Sequence, residues 1–259
     1  DILIAVPSHA FREILSAIAP VVSPSTGIAW ATKGLEPGSH KLLTEVAQEM
    51  VGNLRPLAVV SGPTFAREVA EGLPTAVTIA ANDSRFSSKL AGHLHNGQFR
   101  PYTSDDMIGV SIGGAVKNVL AIAAGIADGL GFGANTRAAL ITRGLAEMMR
   151  LNKAVGGQRE TLMGLAGLGD LVLTCTDDQS RNRRFGLYLG QGKSLEQARA
   201  AIDQVVEGMQ TTGEVHALAR EQGVEMPITE QVYGVLHQRR PPGKAVESLL
   251  AREQKTETD

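Results

Sequence analysis

Met107-Ile108-Gly109-Val110-Ser111-Ile112-Gly113-Gly114-Ala115-Val116-Lys117-Asn118-Val119-Leu120-Ala121-Ile122-Ala123-Ala124-Gly125 decides how this chain is organised. From Met107 to Phe132 only Lys117, Asn118 and Asp128 interrupt a run that is otherwise apolar or small. A helix that is apolar all round belongs in a bilayer or at the centre of a fold. The two charges and the repeated glycines favour a central core helix, so no membrane span is expected. A lysine taken out of water is costly and its pKa moves down, which makes the amine an acid or base near neutral pH. Lys117 is therefore the candidate for chemistry. The competing reading is a snorkelling or salt-bridged lysine at a domain interface. Gly113 and Gly114, one turn earlier, leave backbone bare, so a ligand could approach the ammonium closely.

Upstream of this run, strands and helices alternate. Largely apolar runs at Ile2–Val6, Ile28–Thr32, Leu57–Val60 and Thr75–Ala80 read as strands, with another near Phe99–Tyr102. Helical patterns fall between them at 9–19 (capped by Ser8), 40–50, 65–71 and 84–95. Near-continuous apolar strands alternating with helices predict a parallel sheet covered by helices. Downstream, the strand pattern stops. Long helices are expected around Lys117 and at 136–155, with shorter ones at 183–189, 195–205, 212–222, 229–238 and 244–251. The expected class is α/β, with residues 1–104 forming a sheet domain and 105–259 an all-helical one.

The 259 residues, 43% hydrophobic, suffice for two such cores. Lys+Arg 25 against Asp+Glu 27 leaves no basic field for nucleic acid. A single cysteine, Cys175, excludes an internal disulfide framework and fits a reducing cytoplasm. It follows an apolar run and reads as a small core residue. The six histidines show no metal-ligand spacing. Gly192-Lys193-Ser194 lacks the upstream glycine and strand of a phosphate loop.

Ligands of open parallel sheets bind beyond the carboxyl ends of the strands. Lys33-Gly34 and Ser61-Gly62-Pro63-Thr64 occupy such places. The second reads either as an anion site at a helix start or as an ordinary capped turn. Lys33 is either part of a site or a solvated loop lysine. Further on, the glycine-rich turn Gly164–Gly169 ends in Asp170, a carboxylate fit to hold an ammonium or a substrate hydroxyl, or to cap a helix. Ser180-Arg181-Asn182 combines hydroxyl, guanidinium and amide at a helix start, the ingredients of a phosphate clamp. Arg183 and Arg184 read as surface charges.

Taken together, Trp30-Ala31-Thr32-Lys33-Gly34-Leu35-Glu36, Ser61-Gly62-Pro63-Thr64-Phe65-Ala66, Gly113-Gly114-Ala115-Val116-Lys117-Asn118, Gly167-Leu168-Gly169-Asp170-Leu171 and Ser180-Arg181-Asn182-Arg183 closely resemble the bacterial NAD(P)-dependent glycerol-3-phosphate dehydrogenases. The resemblance spans essentially the whole chain. It implies an incomplete Rossmann-type sheet followed by a helical substrate domain, with NAD or NADP as cofactor. It also implies interconversion of sn-glycerol 3-phosphate and dihydroxyacetone phosphate, in the cytoplasm, for glycerophospholipid synthesis. By position, Lys117 matches the catalytic acid/base of the family. Lys33, Gly62, Thr64, Lys117, Asp170, Ser180, Arg181 and Asn182 match its substrate contacts, and Lys33, Ala66, Arg181, Val205 and Glu207 its cofactor contacts.

One departure stands out. The family's glycine-rich first strand-turn-helix falls ahead of residue 1, and the chain opens on Asp1-Ile2 without Met. The expectation is a truncated form without useful activity, pairing as a homodimer through an exposed sheet edge and face. The alternatives are a related β-hydroxy acid dehydrogenase, of the kind acting on 6-phosphogluconate with a helix lysine, and an inactive folded remnant.

Overall fold

The structure, a computed structural model, describes residues 1–253 and Thr256. Five strands lie in chain order in one sheet: β1 (Ile2–Ile4), β2 (Ile28–Trp30), β3 (Leu57–Ser61), β4 (Thr75–Ala81) and β5 (Phe99–Ser104). Between them run α1 (Phe11–Ile18), α2 (Leu43–Val51), α3 (Ala66–Ala70) and α4 (Ser84–Leu94). The β period of two assigns the faces. Ile28, Trp30, Leu57 and Val59 join Phe11, Leu15, Leu43 and Val46 on one side. Ala29, Ala58, Val60 and Ile79 join Phe86 and Leu90 on the other.

The sheet is parallel except at β3–β4, where Val59 lies opposite Ala80 in antiparallel register. The all-parallel expectation fails there for a reason of length. A parallel crossover must return the chain along the whole strand. The five-residue α3 rises only about 7–8 Å, whereas the five-residue β3 spans about 16 Å. The chain therefore turns back beside β3.

β1 also differs from expectation. It is shorter than the 2–6 run and is not buried on both sides, since Leu3 is 49% exposed. Among the described residues β1 pairs with β2 alone, and the Phe86–Leu90 cluster does not extend to Leu3. Ser8 does not cap a helix side-chain to backbone; it belongs to a short 3-10 turn that leads into α1.

After Ser104 only helices follow among the described residues: α5 (Met107–Gly129), α6 (Ala134–Ala154), α7 (Arg159–Leu162), α8 (Asp170–Thr176), α9 (Arg181–Gly190), α10 (Leu195–Ala200), α11 (Glu207–Glu221), α12 (Pro227–His237) and α13 (Pro242–Leu250). The 195–205 pattern stops at Ala200. α5 is long and apolar enough to cross a membrane, but 94% of its most apolar window is buried inside the fold. Its neighbours close around it with backbone against backbone. A Cβ on Gly125 would come within 2.0 Å of the Arg183 carbonyl oxygen, and one on Gly186 within 2.1 Å of the Ile122 carbonyl oxygen. Glycines on both helices thus let α9 lie directly on α5.

Candidate active site

Lys117 lies midway along α5 and is 7% exposed, so its ammonium has lost nearly all its water. The replacement partners come from α8. Lys117 Nζ donates to Asp170 Oδ1 and, at 3.0 Å, to Thr174 Oγ1. Thr174 in turn donates to the Asp170 carbonyl oxygen at 2.6 Å. Asp170 and Thr174 sit four apart on α8 and therefore share one face.

A second ammonium enters from the sheet. Lys33, just beyond β2, donates to Asp170 Oδ2 at 2.6 Å and to the Gly62 carbonyl oxygen at 3.1 Å. The Thr64 hydroxyl donates to that same carbonyl at 3.1 Å. Gly62 takes φ +152°, and a Cβ there would press on the Ala76 carbonyl oxygen and Val77 Cα, both at 3.1 Å. Glycine is thus needed to aim this carbonyl at Lys33.

The glycines before Lys117 serve a purpose other than the one the bare sequence suggests. A Cβ on Gly113 would meet the Ala166 carbonyl oxygen at 2.2 Å, and one on Gly114 would meet Ser61 Oγ at 3.2 Å and Lys33 Cγ at 3.4 Å. What comes close here is the protein itself. Gly113 admits Leu165–Gly169, a single π-helical turn rather than an open loop, and this turn delivers Asp170. Gly114 admits the stem of Lys33.

The electrostatics follow from burial and sharing. Desolvation, reinforced by repulsion from Lys33, pulls the Lys117 ammonium down to about 8 against the pull of Asp170. Burial pushes the Asp170 carboxyl up, yet the two lysines outweigh it and hold the group below the ordinary aspartate range. Cys175 is buried and its thiol is pushed up to about 12 by burial, in keeping with a core residue.

Ser180, Arg181 and Asn182 open α9. Ser180 Oγ accepts the Arg183 N–H at 3.2 Å and caps the helix. Asn182 Oδ1 accepts the Gly208 N–H at 2.9 Å. Gly208 also lies against Asn118, because a Cβ there would be 3.0 Å from the Asn118 carbonyl oxygen. The start of α9 is thereby tied through α11 to the residue that follows Lys117. Arg183, read from sequence as a surface charge, is instead buried and bonded to Asp128 of α5 at 2.7 Å.

Four further positions, Arg181, Val205, Glu207 and Ala66, are exposed or half-buried. Arg181 donates to Gln204 at 3.2 Å, next to the exposed Val205 and half-buried Glu207. Gln179 donates to Glu68 at 2.8 Å and so joins the exposed Ala66 on α3 to the α8–α9 turn. An accessible guanidinium beside the small or apolar Ala66 and Val205 is a set that suits a ligand carrying both phosphate and aromatic rings.

Thr174 is the contact that sequence reasoning missed, although its spacing from Asp170 was the available signal.

Relatives bear on this geometry. Residues 1–87 match the family described as NAD-dependent glycerol-3-phosphate dehydrogenase N-terminus, and residues 106–247 match the corresponding C-terminus. The glycerol-3-phosphate dehydrogenase [NAD(P)+] of Tolumonas auensis is 59% identical over 99% of this chain and 77% of its own length. That of Nitrosococcus oceani is 63% identical over 99% of this chain and 75% of its own. The crystal structure of glycerol-3-phosphate dehydrogenase from Coxiella burnetii superposes with a TM-score of 0.94 at 56% identity, covering 97% of this chain and 77% of that one. These matches favour the glycerol-3-phosphate type over the related β-hydroxy acid type. The chain belongs to the NAD(P)-dependent glycerol-3-phosphate dehydrogenase family of oxidoreductases.

Proposed function

We propose that Lys117 is the acid/base group in the interconversion of sn-glycerol 3-phosphate and dihydroxyacetone phosphate, with Asp170 as its holder. The observation that carries this reading is the buried Lys117–Asp170 pair, in which loss of water brings the ammonium down to about 8. At neutral pH the ammonium donates its proton to the carbonyl oxygen of the ketone. In the reverse direction the free amine accepts the proton of the alcohol. The nicotinamide, when bound, supplies or takes up the hydride at the carbon. Polarising the oxygen in a site with little water stabilises the developing alkoxide, typically by a few kcal/mol.

The substrate phosphate goes to Ser180, Arg181 and Asn182. A serine that accepts through Oγ keeps its own O–H to donate, and the side-chain NH₂ of Asn182 and the Arg181 guanidinium complete a clamp at a helix start. Lys33, Gly62 and Thr64 line the opposite wall, and Lys33 supplies a second positive charge for the dianion. Ala66, Arg181, Val205 and Glu207, with Lys33 at the inner end, hold the cofactor. Residues 1–104 act as the cofactor-side domain and 105–259 as the substrate-side domain. The setting is the cytoplasm and the product serves glycerophospholipid synthesis. The same reading includes self-association as a homodimer. A solution mass equal to one chain at high concentration counts against the dimer.

NADH oxidation by the natural full-length protein tests the reaction. Dihydroxyacetone phosphate is expected to be turned over far faster than unphosphorylated dihydroxyacetone or a β-keto acid. Equal rates with and without the phosphate reject the clamp.

A further inference from the structure

We propose that Arg183, through its ion pair with Asp128, is a positioning residue that fixes the anion clamp relative to Lys117; this inference rests on the clamp reading above. Residues 183 and 128 lie outside the clamp and outside the Lys117–Asp170–Lys33 cluster. Their pair is nevertheless the buried charge contact between α9 and α5. Arg183 Nη2 donates to Asp128 Oδ2 at 2.7 Å, with both side chains under a tenth exposed. Asp128 also accepts from Arg137 of α6 at 3.1 Å. The second Arg183 contact, to the exposed Asp178 in the α8–α9 turn, is of the kind that contributes little.

The two helices lie against each other in a regular step. Asn182 neighbours Asn118 through Gly208, Gly186 lies on Ile122, Gly190 on Ile126, and Arg183 and Leu187 lie on Gly125 and Gly129. Contacts that advance by four on both helices describe two chains running side by side in the same direction. The glycine notches set how closely the two helices approach, and Arg183–Asp128 adds a buried charge contact that ties α9 to α5. Its arginine lies one residue past Asn182 and two past Arg181, so a slip of α9 along α5 moves the clamp bodily. Its backbone N–H also donates to Ser180 Oγ, so displacement of Arg183 disturbs the hydroxyl of the clamp as well.

A positioning role is separable from general support of the fold. Only the phosphate feels the clamp, whereas Lys117 and Asp170 face the reacting oxygen. Asp128 keeps Arg137 when Arg183 is removed, so Arg183→Met leaves no orphaned carboxylate and Asp128→Asn offers a nearly isosteric second variant. In the natural full-length enzyme, each variant is expected to raise KM for dihydroxyacetone phosphate at least tenfold. The rate with unphosphorylated dihydroxyacetone should change less than twofold. Arg183→Lys, which keeps charge but loses the fork, should fall between. In the double variant Asp128→Asn/Arg183→Met the KM increase should be well below the product of the single effects, as coupled partners require. Equal loss on both ketones, or an unchanged KM in a folded variant, overturns the proposal. Arg181→Ala, measured in parallel, tests the clamp itself. If that variant keeps the original KM, the clamp reading fails and this inference with it. If Arg181→Ala is impaired and the Arg183 variants are not, the positioning inference alone falls.

Discussion

Lys33 and Lys117 hold opposite oxygens of one buried carboxylate, the first arriving from the end of β2 and the second from the middle of α5. One negative charge therefore faces two positive ones where water is scarce. The excess positive charge favours a dianionic ligand, and it also loosens the proton on the more buried amine. Substrate attraction and acid strength in this site thus have a common origin.

Replacing Lys117 by Met removes the proposed proton donor while Asp170 keeps Lys33 as counter-ion. Turnover is expected to fall about 10²–10⁴-fold, the usual scale for a general acid. The melting temperature should hold or rise, because a desolvated charge has gone. Steady-state NADH oxidation alongside calorimetry checks both halves. Near-normal turnover removes Lys117 from the chemistry.

The pH dependence should differ in sign between the two directions. Ketone reduction needs the ammonium, so its kcat/KM should decline as pH rises through about 8. Alcohol oxidation needs the free amine and should climb through the same range. Lys33→Met removes a charge that disfavours the ammonium and leaves Asp170 wholly to Lys117. Both changes raise the amine pKa, so both limbs should move to higher pH. Profiles that stay in place exclude Lys33 from tuning the acid.

The strands β1 to β3 were readable because each is a short apolar block, and α5 because nothing else accounts for its composition. The direction of β4 was hidden, since it depends on the length of α3 rather than on any residue of β4. Lys117 was found by asking what a charge does inside an apolar run. The same question put to Asp128 would have asked for a cation and led to Arg183. Taken alone, Ser180–Arg184 is polar throughout and gives no sign that its fourth residue, Arg183, is buried. Val205 is exposed and Glu207 half-buried, so burial leaves little trace of either in the pattern.

Asp170→Asn should be the most damaging single change to stability. It leaves two ammonium groups facing each other without a counter-ion, a situation worth about 3–5 kcal/mol. The pH signs are opposite for the two kinds of group. Asp170 has a lowered pKa, so its contribution is present above the ordinary aspartate range and fades as acid protonates it. Lys117, lowered from 10.5 to about 8, imposes its full cost below pH 8 and is relieved between those values. Without Asp170 the amine loses the partner that raises its pKa and sheds its proton below 8, so urea unfolding should show a larger deficit of the variant near pH 6 than near pH 9. A deficit that is the same at both pH values would mean that the loss is not one of charge.

Gly113→Ala probes the close approach that delivers Asp170. The added methyl would sit 2.2 Å from the Ala166 carbonyl oxygen, and both sides of that contact are backbone, so neither yields cheaply. A cost of about 1–3 kcal/mol is expected from overpacking. Because the displaced turn runs straight into Asp170, kcat should fall with stability. Gly92→Ala is the matched control: it lies in α4, and a Cβ there meets nothing within 4 Å. That change should be neutral or stabilising by up to about 1 kcal/mol, as alanine is the better helix former. If both alanine variants melt and turn over alike, the backbone contact between α5 and the π-helical turn does not set the Lys117–Asp170 distance.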